Sequence, residues 1–122
     1  MILVDTSVWV DHLRSGDTAL EDFLDGGRVL VHPFVIGELA LGNLRQRDLV
    51  LGALSDLPQA SVATDQEVLH FIGRRSLSGL GVGYVDAHLL AAVRLTEGAS
   101  LWTRDKRLHR VADQMGLATA EL

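Results

Sequence analysis

Cysteine is absent from this 122-residue chain, so neither a disulfide framework nor a thiolate zinc site is available to it. Long apolar runs are missing too: none approaches the roughly 18 residues of a membrane-spanning helix. Met1-Ile2-Leu3-Val4 leads straight into Asp5 without the basic start of a secretory leader, so a cytoplasmic protein with no membrane partner is expected. Basic excess is also lacking. A net charge of −5 argues against general attraction for nucleic acid, which leaves a strongly basic footprint. Disorder is excluded by a balance of 48% hydrophobic and 22% charged residues. The length suits one domain over residues 1–122, and therefore one site.

What is present alternates between two periods. Ile2 to Val4 is an apolar run of strand length, and Asp5-Thr6-Ser7 supplies capping chemistry for a helix over about Val8 to Leu13. After Gly16-Asp17, the spacing of Ala19, Leu20, Phe23 and Leu24 predicts a helix that Gly26-Gly27 stops, and Val29 to Val31 predicts a second strand. Pro33 closes that strand or opens the next helix, which is expected from about Phe34 and carries Glu38 near its start. Another helix is expected within Asn43 to Leu57, and a weaker strand over Ser61 to Ala63. Thr64 and Glu67 have capping-box spacing ahead of Val68, Leu69 and Ile72. Gly79, Gly81 and Gly83 make a connector before a helix from Val85 to Leu95, with Asp86 in its first turn. Ser100 to Trp102 reads as a strand, Lys106 to Met115 as a closing helix, and Leu117 to Thr119 as an added edge strand. Strands alternating with helices imply an α/β fold of three layers, α/β/α, around a central parallel sheet.

Four acids stand at informative places in that frame. Asp5, Glu38, Asp86 and Asp105 each fall at a strand exit or in the opening turns of the following helix, positions that an open α/β sheet gathers at one edge. Singly, each has an ordinary explanation: Asp5 and Asp105 as helix caps, Asp86 as a partner of the helix dipole, Glu38 as a solvated residue. Together they would repel, by roughly 4 kcal/mol for a pair about 4 Å apart at an effective dielectric near 20. A hard divalent cation is the simplest reason for such a cluster.

Val4-Asp5-Thr6-Ser7, Gly37-Glu38-Leu39, Tyr84-Val85-Asp86-Ala87-His88 and Trp102-Thr103-Arg104-Asp105-Lys106-Arg107-Leu108 together resemble the PIN-domain ribonucleases, and among them the VapC-type toxins. The resemblance spans essentially the whole chain, with the four acids in the family's order. It implies an endoribonuclease dependent on Mg²⁺ or Mn²⁺, a toxin acting on tRNA or rRNA, and a VapB-like antitoxin that blocks the site. It also implies a homodimer or a higher toxin–antitoxin assembly.

The residues suit that chemistry. Mg²⁺ keeps several waters and is held by one or two carboxylates plus substrate phosphate. Asp5 and Asp86 are the first expected ligands and Asp105 the next, while Glu38 would bind a second ion or orient the attacking water. Thr6 and Thr103 offer hydroxyls to the carboxylates. Arg104, Lys106 and Arg107 form a basic collar expected to meet RNA phosphates. Two alternatives remain open at this point: a catalytically silent binding module of the same fold, and Mg-dependent phosphotransfer through an aspartyl phosphate on Asp5. Trp9, Phe23, Phe34, Phe71 and Trp102 are expected as core or interface anchors, and the scattered histidines as unlikely ligands.

Overall fold

Strand β1 (Ile2–Val4) is apolar at every position, and its side chains are 2%, 0% and 0% exposed. Because successive strand side chains point to opposite faces, that burial places cover on both sides of the sheet, as a three-layer arrangement requires. The computed structural model describes residues 1–120. The domain expected over 1–122 is thus followed to Ala120, and the last two positions lie outside the described residues.

From β1 the chain runs through α1 (Thr6–Ser15) and α2 (Thr18–Asp25) to β2 (Val29–Leu30). Helices α3 (Pro33–Leu41), α4 (Arg47–Asp56), α5 (Asp65–Arg74) and α6 (Tyr84–Leu95) follow, then β3 (Ser100–Trp102) and α7 (Lys106–Gln114). Both β2 and β3 pair with β1 in parallel, Leu3 facing Leu30 on one side and Leu101 on the other. The order β2-β1-β3 means that the chain leaves β1 to one side and later returns on the other. That reversal opens a crevice at the carboxyl ends of β1 and β3, where ligands bind in open α/β sheets.

Helix starts follow the side chains that satisfy their orphan N–H groups. Thr64 and Glu67 form the expected capping box of α5, Thr64 Oγ1 accepting from Glu67 N and Glu67 Oε1 from Thr64 N. Pro33 opens α3 behind His32, whose Nδ1 accepts from Phe34 N. Helix α6 is core through its middle, with Ala87 to Val93 buried in an unbroken run. Among the described residues no helix is long and apolar enough to cross a membrane.

The expected strand over Ser61 to Ala63 is absent. The chain touches the sheet only at the bridge between Val31 and Gln59; the next free donor, Ser61 N, goes to Thr96 Oγ1 at the end of α6. Leu117 to Thr119 likewise contributes a single parallel bridge, from Ala118 to Leu101, and no full strand. The helix expected from Asn43 begins only at Arg47, because Gln46 adopts a left-handed backbone, φ 52°, that an α-helix cannot include. Glu38 lies in the second turn of α3.

Candidate active site

Asp5 ends β1 and precedes α1, where an ordinary aspartate would cap the helix with its side chain; this one makes no such bond. Instead Asp5 is 7% exposed and its Oδ2 accepts from Ser7 Oγ at 2.8 Å and Thr103 Oγ1 at 2.7 Å. The two hydroxyls are themselves held. Thr103 Oγ1 accepts from Asp105 N at 3.1 Å, and Ser7 Oγ from Arg104 N at 3.0 Å. The exits of β1 and β3 are thereby laced together through one carboxylate oxygen.

The other acids surround this knot. Asp105 caps α7, its Oδ1 accepting from Leu108 N at 3.0 Å. Asp86, in the first turn of α6, accepts on Oδ2 from Gly83 N at 3.2 Å. Glu38 on α3 accepts on Oε1 from Thr6 Oγ1, the first residue of α1, at 2.7 Å. A common pattern results: among the described residues each acid engages one carboxylate oxygen with protein donors and leaves the other without a bond. Among the described residues no lysine, arginine or histidine forms an ion pair with any of them.

The electrostatics show that the acids share one field. Burial is the main influence raising the pKa of the Asp86 carboxyl above the usual value; the Gly83 N–H works against it, and the charges of Asp5, Asp105 and Glu38 add to the rise. As placed, no group of three or more His, Asp or Glu side chains among the described residues already encloses an ion position. The cluster is an uncompensated acidic mouth and not a closed chelate. Its donors are all oxygens, half of them free, and its charge lacks a counterion, which fits a hard cation that retains part of its water.

Thr6 and Thr103 each donate a hydrogen bond to a carboxylate. Ser7 carries as much of the knot as Thr103, yet sequence reading singled it out only as capping chemistry. Its hydroxyl is placed by Arg104 N, 97 positions away, so the only local signal is its spacing from Asp5.

The basic collar disperses. The Arg104 guanidinium pairs with Asp11 and Asp17 and leans over the Trp102 ring, which turns it back onto α1 and the α2 cap. Arg107 packs along the loop before α6, its Cδ 2.9 Å from where a Cβ on Gly81 would lie, and Gly81 itself has a left-handed backbone at φ +80°. Lys106 is exposed and has no ion pair among the described residues. Of the aromatics expected as core or interface anchors, Trp9 and Trp102 are buried in the core, whereas Phe34 is exposed at 36%.

A family model described as PIN domain matches residues 2–114. Two curated relatives, both named Ribonuclease VapC32, come from Mycobacterium tuberculosis strains CDC 1551 / Oshkosh and ATCC 25618 / H37Rv. Each is 54% identical over 121 residues, covering 99% of this chain and 98% of the relative.

Proposed function

The chain belongs to the PIN-domain family, and from that premise we propose that the acidic mouth between β1 and β3 cleaves RNA with the help of a divalent cation. The protein is an endoribonuclease of the VapC type, the toxin of a VapBC-type toxin–antitoxin pair, with RNA as substrate and a VapB-like antitoxin as partner. The observation that supports this use of the site is the free oxygen on each of four uncompensated carboxylates.

Asp5, Asp86 and Asp105 would hold Mg²⁺ or Mn²⁺. Bound there, the ion would neutralise charge on the cleaved phosphate and favour deprotonation of a nearby water. The protein's own groups do the positioning. Ser7 and Thr103 fix one oxygen of Asp5 and leave the other without a hydrogen bond among the described residues. Thr6 steadies Glu38, whose free oxygen is available to accept a proton from the attacking water. The buried floor of Val4 and Trp102 keeps bulk water from beneath the mouth.

The antitoxin has a natural seat. A groove of about 620 Å³ between α1, α3 and α4 is lined by Val10, Leu13, Leu39 and Val50 with Arg14 and Arg45 and reaches Glu38, so a segment laid there would lie against that acid. Homodimerisation, a tRNA or rRNA target and a cytoplasmic location complete the reading. Phosphotransfer through Asp5 is disfavoured because the chain's sole lysine, Lys106, makes no ion pair with that carboxylate.

The test is cleavage of total RNA with end mapping, with Mg²⁺, Mn²⁺ or chelator, beside Asp5→Asn. Discrete ends that require metal and vanish in Asp5→Asn are expected. Cleavage by the metal-saturated variant at the parent rate would remove Asp5 from the chemistry, and metal affinity without any cleavage would favour the silent module.

A further inference from the structure

A second groove, of about 540 Å³, lies between α5 and α6, away from the acidic mouth. Its rim carries Arg74, Arg75 and Arg94 together with His70, and Phe71 and Leu95 contribute apolar surface. All three arginines are exposed, and none forms an ion pair among the described residues. Glu67, the one acid lining the groove, is already engaged in the Thr64 capping box. In a chain of net charge −5, this is a local cationic excess, three arginines against the single carboxylate of Glu67.

We propose that this groove is a phosphate-tracking exosite that holds the RNA strand beyond the cleavage point. The identity of the polyanion rests on the nuclease reading; the cationic character of the groove does not. Helix α6 links the two sites, with Asp86 in its first turn and Arg94 near its end, about 12 Å apart at 1.5 Å per residue. That separation suits one strand running from mouth to groove. Arginine suits the task because its planar fork binds phosphate oxygens in pairs and stacks on bases. A second copy of the chain is the weaker occupant, since a two-fold contact would set arginines against arginines. The groove's arginines are unpaired among the described residues, whereas Arg104 of the collar is committed to Asp11 and Asp17.

The experiment measures binding of a labelled structured RNA to the full-length protein without divalent metal, over a range of salt, for the parent and for Arg74→Gln/Arg75→Gln/Arg94→Gln. Losing three phosphate contacts should flatten the slope of log affinity against log salt by about two units. In metal-dependent cleavage of the same RNA the loss should appear in KM and not in kcat. The triple lysine variant, R74K/R75K/R94K, keeps the charge and should recover most of the slope. An unchanged slope in the glutamine variant overturns the proposal. So does a glutamine variant that sediments at lower mass than the parent, which would assign the groove to self-association. The nuclease reading fails separately, if the parent cuts no RNA with metal while the metal-free salt slope still depends on the arginines.

Discussion

The acidic mouth and the histidine pocket on the other side of α6 are both polar insertions into an apolar fold, yet the molecule treats them in opposite ways. At the mouth each carboxylate is tied by one oxygen and open at the other. In the pocket, His32 and His88 are 0% and 1% exposed, their rings 6.3 Å apart, with Phe34 and Tyr84 packed 4.6 and 4.7 Å from His88. His32 Nε2 and both His88 nitrogens lack a hydrogen bond among the described residues. Asp65 Oδ1 comes within 3.2 Å of His88 Nε2, close enough for an ion pair but poorly angled for a hydrogen bond. Polar atoms left open at a crevice can receive a ligand. Polar atoms fenced in by aromatic rings can only pack.

The largest test of that contrast is Asp86→Asn. The amide keeps the size of the side chain and removes a charge that burial and three neighbouring acids all disfavour. Cleavage should fall by roughly three orders of magnitude, about 4 kcal/mol of barrier, while the metal-free protein becomes more stable at neutral pH. Single-turnover cleavage and thermal unfolding in chelator measure the two halves. Loss of both activity and stability would mean that Asp86 is structural.

His32 should respond to pH in the sense opposite to Asp86. Burial, helped by the nearby His88, pushes its pKa down to about 4 from 6.5. The unfolded chain therefore takes up the proton first, and stability falls as pH drops from the unfolded value through the folded one. Asp86, with its carboxyl pKa raised, favours the folded state below its unfolded value and loses that contribution as pH rises through the folded one. The His32 contribution amounts to roughly 3 kcal/mol between pH 7 and pH 4. Urea unfolding at several pH values should show that slope, and His32→Asn, which can keep the cap to Phe34 N, should flatten it. A slope unchanged in His32→Asn would shift the acid sensitivity to another group.

A smaller effect separates the knot from the acids it holds. Thr103→Val keeps the branched shape but removes the hydroxyl that donates to Asp5 and accepts from Asp105 N. Apparent metal affinity or activity should drop tenfold to a hundredfold, about 1.4 to 2.7 kcal/mol, as for other groups that orient metal ligands. Parent-like metal titration would leave Thr103 as strand packing only.

Much of this was legible in the order of residues, because local rules govern it. The strand at Ile2 to Val4 ends at a capping triplet, Thr64 and Glu67 announce a helix start, and the four acids recur at strand exits and helix openings. What was hidden depends on partners far along the chain. Ser61 leaves the sheet because Thr96 takes its N–H, and Gln46 delays α4 through a backbone angle that its side chain does not advertise. Arg104 looks free beside Asp105 in sequence, yet its acids lie at Asp11 and Asp17. The role of Ser7 becomes visible only when β1 and β3 are neighbours.

The smallest test probes the pocket at its one wet edge. Asp65 accepts from Tyr84 Oη at 3.0 Å and stands 3.2 Å from His88 Nε2, but its side chain is 81% exposed. Solvent screens such a charge, so Asp65→Asn should cost less than about 1 kcal/mol in urea unfolding near neutral pH. The amide oxygen can still accept from Tyr84, and the rings around His88 remain in place. If the pocket is held by packing, the substitution leaves RNA cleavage at the parent level. A loss of several kcal/mol would show instead that His88 depends on a charged partner, and the contrast with the acidic mouth would then collapse into two ionic sites.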